Sequence, residues 1–182
     1  MKTFGRDQVL EFLAEIDVLL DEPVPLEIIG GAAALLAYGA RSPTKDIDTF
    51  VGIDERIQRA ASLAAHKIPL DRATVADPPY NYEDRRQRLD LPFRNLVVWV
   101  PERHDLLLMK AVRAARHDEE VIQEMHQAEP FDLETIVARW NEEMGQAIGD
   151  HKILDQQIQL IVEKLFGSKS VRRFGKGTMQ SK

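Results

Sequence analysis

Apolar residues recur at helical spacing near the start of the chain, with acidic residues between them. This pattern predicts an amphipathic helix over residues 7–21. The prolines at positions 23 and 25 then end the helix. The next apolar segments predict a short strand at 26–29, an alanine-rich helix at 32–39 that ends at its glycine, and a strand at 46–51. The first third of the chain therefore alternates helix and strand.

The middle and the end of the chain differ in pattern. A helix with an acidic first turn is predicted at 54–67, then a strand candidate at 72–75 and an antiparallel hairpin at 86–91 and 96–100. After Pro101, helical periodicity continues in four segments, at 102–116, 118–128, 132–144 and 150–166. We therefore predict an α/β (α+β) fold in which helices flank a mixed sheet. We expect a core at 1–101, a helical lobe packed on it at 102–166, and a flexible basic tail at 167–182.

Composition narrows the class of protein further. The 182 residues include no cysteine, which excludes disulfide frameworks and thiolate metal sites and fits a cytoplasmic protein. No apolar stretch is long enough to cross a membrane. The formal net charge is −6, but basic residues concentrate between Arg85 and Arg116 and again from Lys169 to Lys182. These two segments are the candidate contacts to nucleic-acid phosphates.

Two carboxylates lie two residues apart in the predicted strand at 46–51. Side chains at such positions point to the same face of a strand, so Asp46 and Asp48 can share one cation. Carboxylate oxygens favour Mg²⁺ or Mn²⁺ and, with them, the phosphates of a nucleoside triphosphate (NTP). Two solvated aspartates on a surface strand are the alternative.

A pair of glycines, Gly30 and Gly31, separates the strand at 26–29 from the following helix. Glycines at this place let backbone amides approach a phosphate, and the N-terminus of a helix favours an anion. A plain tight turn is the alternative. Because Asp46 and Asp48 follow closely in the sequence, we predict a nucleotide-binding turn.

Together these motifs resemble the nucleotidyltransferase superfamily, in which an apolar residue and two glycines precede an Asp-x-Asp strand. Ile29-Gly30-Gly31 and Asp46-Ile47-Asp48 match that pattern. The longer match, over roughly residues 26–122, is similar to small bacterial nucleotidyltransferase-like proteins related to AbiEii-type toxins. The resemblance implies an Mg-dependent enzyme that moves NMP from an NTP to an acceptor hydroxyl. RNA or tRNA would be the acceptor, and an antitoxin would be a partner.

The helix predicted to begin near Glu102 carries Lys110, and Arg113 and His117 follow at helical spacing as a cationic stripe. The resemblance implies that Lys110 and Asp118 are active-site residues. Lys110 would hold the charge of the triphosphate or assist the attacking hydroxyl, and Asp118 would orient that hydroxyl or serve as its base. A solvated helix face capped by Asp118 is the alternative. The relatives carry a second aspartate where this chain has Val121, with Glu120 as a neighbouring substitute.

Three further predictions complete the candidate site. Asp90, in the first strand of the hairpin, is the candidate third carboxylate and metal ligand, if the hairpin lies beside the Asp46 strand. Asp71 is the second candidate for that role. Arg41 is expected to bind a phosphate of the nucleotide, and Thr44 to support the turn before Asp46. The alternative is that these loop residues form only local hydrogen bonds.

Two other functions stay open. In the first, the acceptor hydroxyl belongs to a small molecule such as an aminoglycoside, whose positive charge suits the acidic chain, or to a protein side chain. Alternatively, the chain is a non-catalytic binding or antitoxin-like module of the same fold, a hypothesis that the valine at position 121 motivates.

Overall fold

The computed structural model describes residues 2–73, 76–113 and 115–170. It contains these helices in chain order: α1 (Arg6–Leu19), α2 (Gly30–Ala37), α3 (Glu55–Leu63), α4 (Tyr82–Arg85), α5 (Arg103–Arg113), α6 (Arg116–Ala128), α7 (Leu133–Glu143) and α8 (His151–Phe166). The strands are β1 (Val24–Ile29), β2 (Ile47–Thr49), β3 (Leu70–Arg72), β4 (Gln87–Arg88) and β5 (Leu96–Val100). The predicted mixture of a sheet and flanking helices is confirmed.

The strands form one mixed sheet in the order β3-β2-β1-β5-β4. β1 is antiparallel to β2 and parallel to β5, and β2 is parallel to β3. β4 and β5 are antiparallel, so the predicted hairpin is confirmed. The hairpin joins the sheet through β5, which lies beside β1 on the side away from β2.

The buried face of β1 explains how the helices attach to the sheet. Val24, Leu26 and Ile28 alternate along the strand and are almost fully buried. They belong to one cluster of buried residues that also contains apolar side chains of α1, α2, α5 and α8. The hydrophobic core is therefore continuous from the first helix to the last described one.

Some elements differ from the prediction. The strand expected at 72–75 is β3, two residues earlier, and positions 74 and 75 lie outside the described residues. The short helix α4 has no counterpart in the prediction, because four residues are too few to show a helical period. Most of the expected basic tail, from residue 171 onward, also lies outside the described residues. Within the described part of the chain, each helix is too short or too polar to cross a bilayer.

Candidate active site

The centre of the candidate site is Asp48 on β2. In the sheet, Asp48 lies opposite Ile29 of β1 on one side and opposite Asp71 of β3 on the other. Asp46 is half-buried and precedes the first residue of β2. Burial and the charge of Asp46 raise the pKa of Asp48, although Arg113 and other nearby cations act against this shift. The two carboxylates therefore lie close enough to repel each other, as expected of a cation site.

Gly30 and Gly31 contact the segment that carries these carboxylates. Gly30 has a φ of +69°, and a Cβ atom there would lie 3.0 Å from Oδ2 of Asp48. A Cβ atom on Gly31 would lie 3.0 Å from Oγ1 of Thr44. At Gly30, glycine adopts the positive φ without strain and leaves room for the carboxylate of Asp48. The two glycines are the first residues of α2, so the N-terminus of that helix faces Asp48.

A buried ion cluster from α5 and α6 forms the opposite wall. The Lys110 ammonium is 2% exposed and donates a hydrogen bond of 2.8 Å to Oδ1 of Asp118. Arg113 donates from Nε to Oδ2 at 2.9 Å and from Nη2 to Oδ1 at 2.7 Å. Burial lowers the pKa of Lys110. Burial alone would raise the pKa of Asp118, but the hydrogen bonds from Arg113 and the charge of Lys110 lower it.

One small cleft brings these groups together. It is lined by Ile29, Gly30, Asp48, Ala73, Ala76, Leu106, Met109, Lys110 and Arg113. The cleft thus has a carboxylate on its sheet side, a helix N-terminus beside it, and two cations on the helical side. Donors that suit an anion, the amides of α2 and the cations of α5, thus face one carboxylate across the cleft.

The structure does not bring Asp90 to this cleft. The hairpin was expected beside the Asp46 strand, but it lies on the other side of β1. Asp90 follows β4 at the far edge of the sheet, and β1 and β5 separate β4 from β2. Strand spacings of about 4.8 Å place three such steps between β4 and β2, which is too far for a shared cation. Asp71 instead lies directly opposite Asp48, and its charge contributes to the raised pKa of Asp48.

The predicted cationic stripe is also only partly correct. α5 ends at Arg113, and His117 belongs to α6, where it pairs with Glu120 at 3.4 Å on the exposed surface. Glu120 therefore lies on the surface, away from the cleft. It does not take the place of the second aspartate expected near this position. Val121 is 1% exposed and is part of the hydrophobic core.

Thr44 and Arg41 lie in the loop that leads to Asp46. Thr44 is buried, and its hydroxyl donates to the carbonyl of Asp46 at 2.8 Å, so it supports the bend before β2 as predicted. Its backbone also pairs with Phe4 in an isolated antiparallel bridge. Arg41 is exposed, and its amide donates to the carboxylate of Glu124.

Comparison with known proteins decides the family. A family model described as a nucleotidyltransferase of unknown function (DUF6036) matches residues 7–163. The chain belongs to this family. No match is found among the curated proteins or among the solved structures.

The DUF6036 chain contains functional candidates that its sequence pattern did not reveal. Glu124 of α6 binds the loop before Asp46 across more than eighty residues of chain. Asp105 of α5 is fully buried and accepts hydrogen bonds from Arg85 and Arg139, and Arg85 also binds Glu143 of α7. These pairs join α4 and α7 to α5, the helix that carries Lys110. No local spacing signals such contacts, because each partner comes from a different element.

The carboxylates of this DUF6036 chain have the chemistry of ligands for a divalent cation. Among the described residues, no group of three or more His, Asp or Glu side chains is close enough to form a complete protein cage. Mg²⁺ does not require such a cage, since it commonly binds one or two carboxylates together with substrate phosphates and water. Asp46 and Asp48 supply hard oxygen ligands, and burial together with the neighbouring charge of Asp46 raises the pKa of Asp48.

Proposed function

We propose that the chain transfers a nucleoside monophosphate from an Mg·NTP to an acceptor hydroxyl. The observation that supports this proposal best is the shared cleft of Gly30, Asp48, Lys110 and Arg113. The glycine turn brings backbone amides to one side of a phosphate chain, and the two cations face it from the other side. Both the acidic and the cationic requirements of an NTP site are therefore met within a few side chains.

The residues have separate roles in this proposal. Asp46 and Asp48 would hold Mg²⁺ or Mn²⁺ together with phosphate oxygens and water. Asp71, which lies opposite Asp48 in the sheet where Asp90 was expected, would add negative charge near the ion without completing a cage of three carboxylates. The cation would supply charge stabilisation at the α-phosphate and at the leaving pyrophosphate. Arg113 and Lys110 bind phosphate oxygens. The acceptor oxygen attacks the α-phosphorus as the bond to pyrophosphate breaks, and its proton passes to a nearby carboxylate or to water.

Asp118 has a supporting role in this proposal. Both of its oxygens already accept hydrogen bonds from Lys110 and Arg113. A low pKa keeps it ionised, which makes it a poor proton acceptor. Asp118 therefore orients Lys110 and Arg113. These two cations, in turn, determine where the triphosphate lies. Arg41 remains the proposed partner of an outer phosphate.

We propose RNA, in particular tRNA, as the acceptor, in a cytoplasmic toxin-like enzyme related to the AbiEii group and controlled by an antitoxin. The support for this proposal comes from Arg88 and Arg94, which are exposed, and from the five basic residues in the sequence from 169 to 182. Arg85, Arg86 and Lys110 are engaged in ion pairs within the protein. The test is transfer of label from each of four α-³²P NTPs to purified tRNA, total RNA, aminoglycosides or protein. Label on RNA supports the proposal. Label found only on a small molecule or only on protein would show that RNA is not the acceptor.

The matched variants for this assay are Asp46→Asn with Asp48→Asn, and Asp21→Asn as the control. Asp21 is exposed and lies outside the cleft. Transfer should fall at least a hundredfold in the double variant and stay unchanged in the control. Growth arrest on expression should also disappear in the double variant, and arrest that persists would contradict the toxin role.

A second candidate function is a nucleotide-binding module without transfer activity. Val121 supports it, because a buried valine occupies the position of the second acid expected from the relatives. Such a module would bind Mg·NTP with an affinity that Asp48→Asn reduces, yet label no acceptor. Binding without transfer to any of the four acceptor classes would favour this function.

A further inference from the structure

The loop between α2 and β2 runs along helix α6. At its start, the backbone of Gly39 approaches the end of α6 so closely that a Cβ atom would lie 2.6 Å from Cβ of Ala128. One turn earlier in α6, Glu124 binds the next part of the loop. The loop therefore follows α6 from its C-terminal end toward its N-terminal end before it reaches Asp46.

Glu124 uses both carboxylate oxygens to hold this loop. Oε2 accepts from the amides of Arg41 at 2.8 Å and Ser42 at 2.9 Å, and Oε1 accepts from the Ser42 hydroxyl at 2.9 Å. Burial alone would raise the pKa of Glu124, but the hydrogen bonds from Ser42 and Arg41 lower it. The carboxylate is thus ionised at neutral pH, and its three hydrogen bonds are charge-assisted.

The same helix holds the cations on the other side of the cleft. Asp118, in the first turn of α6, binds Lys110 and Arg113. Asp46 precedes β2, so the hydrogen-bond ladder of the sheet does not fix it directly. Its position depends on the loop, which Thr44 and Glu124 hold. One helix therefore sets the distance between the metal-binding loop and the phosphate-binding cations.

We propose that Glu124 is a positioning residue of the active site: it fixes the loop of Arg41 and Asp46 at a set distance from Lys110 and Arg113. This inference rests on the proposed function. It predicts that Glu124 tunes cation affinity without touching the cation or the nucleotide. A group that hydrogen-bonds a metal ligand directly changes affinity by roughly 10- to 100-fold when it is lost. Glu124 acts one step further away, through Ser42, so we expect the lower end of that range.

The test is calorimetric titration of Mn²⁺ into the full chain with a non-hydrolysable ATP analogue present. Glu124→Ala should weaken Mn²⁺ binding roughly tenfold. Glu124→Gln keeps an acceptor oxygen but loses the charge, so it should give an intermediate affinity. It also serves as the reporter if the alanine variant does not fold. The matched control is Glu142→Ala, which removes an exposed carboxylate from α7.

Hydrogen exchange gives a second reading of the same variants. The amides of residues 41 and 42 should exchange faster in Glu124→Ala than in the wild type, with no change in Glu142→Ala. Equal Mn²⁺ affinity in Glu124→Ala and the wild type would overturn this inference alone. If the wild-type chain binds no Mn²⁺·nucleotide, the proposed function fails and this inference fails with it.

Discussion

Replacing Asp118 by asparagine tests the buried ion cluster most directly. The substitution leaves the side chain of Lys110, which is 2% exposed, without its hydrogen-bonded carboxylate, and only the more distant charge of Asp48 remains to compensate it. Removing one partner of a buried ion pair costs about 3–5 kcal/mol. Arg113 is 41% exposed and can turn its charge to water, so we expect the lower end, about 3 kcal/mol.

Changes on the cation side should cost less. In Lys110→Met, Arg113 still neutralises Asp118 through two hydrogen bonds, so we expect a loss of about 1–2 kcal/mol. The double variant Lys110→Met with Asp118→Asn removes the uncompensated charge as well as its partner. Its loss should therefore be smaller than the sum of the two single losses, by about 1–2 kcal/mol. Urea unfolding followed by circular dichroism measures all three values.

The pH dependence separates this account from a simple packing defect. Burial lowers the pKa of Lys110 below its ordinary 10.5, and loss of Asp118 lowers it further. Between the folded-state pKa and 10.5, the unfolded chain binds more protons than the folded chain, so stability rises with pH. Each unit of pKa difference is worth about 1.4 kcal/mol. Because the pKa of Lys110 in Asp118→Asn lies below that in the wild type, the deficit of the variant should shrink as pH rises through the range between these two values, below 10.5. A constant deficit would refute the reasoning.

Two other substitutions test the sheet and the turn. Gly30→Ala should lower stability by about 1–2 kcal/mol and reduce Mn²⁺ affinity, because the residue has a positive φ and its Cβ would contact Asp48. Gly31 lacks the positive φ, so Gly31→Ala should cost less stability. Equal losses in the two variants would contradict the role of φ. Asp17→Asn should cost about 1–3 kcal/mol, because the carboxylate accepts three amides of residues 94–96 and the new side-chain amide cannot accept the first. The lowered pKa of Asp17 stabilises the fold above about pH 3.8 and this contribution is lost as pH falls, so acid titration of unfolding should show a smaller drop in the variant.

The sequence predicts those parts of the site that depend on local spacing. The glycine turn and the carboxylate pair lie within one strand-helix-strand unit, so their approach follows from the elements themselves. Lys110 and Asp118 are eight residues apart, and the turn between two helices brings them together. Such contacts need no knowledge of how distant segments pair.

The sequence does not predict those parts of the site that depend on strand order or on contacts between distant segments. Asp90 and Asp71 have similar local patterns, and only the sheet order shows that Asp71 lies beside Asp48. His117 continues the period of α5, but the chain starts a new helix before it. Glu124 and Asp105 lie in helices with ordinary polar patterns, and their partners come from distant segments.

Two contacts near the cleft close loops of very different length. Lys110 and Asp118 close a loop of eight residues, whereas Ser42 and Glu124 are 82 residues apart. Short loops close at lower entropic cost, so we expect the contact between Lys110 and Asp118 to form early in folding and the contact between the α2–β2 loop and α6 to form late. Pulse-labelled exchange during refolding should show the amides of α5 and α6 protected before those of residues 41 and 42, and simultaneous protection would contradict this order. The cations of the cleft would then be in place before the loop that leads to Asp46 is fixed.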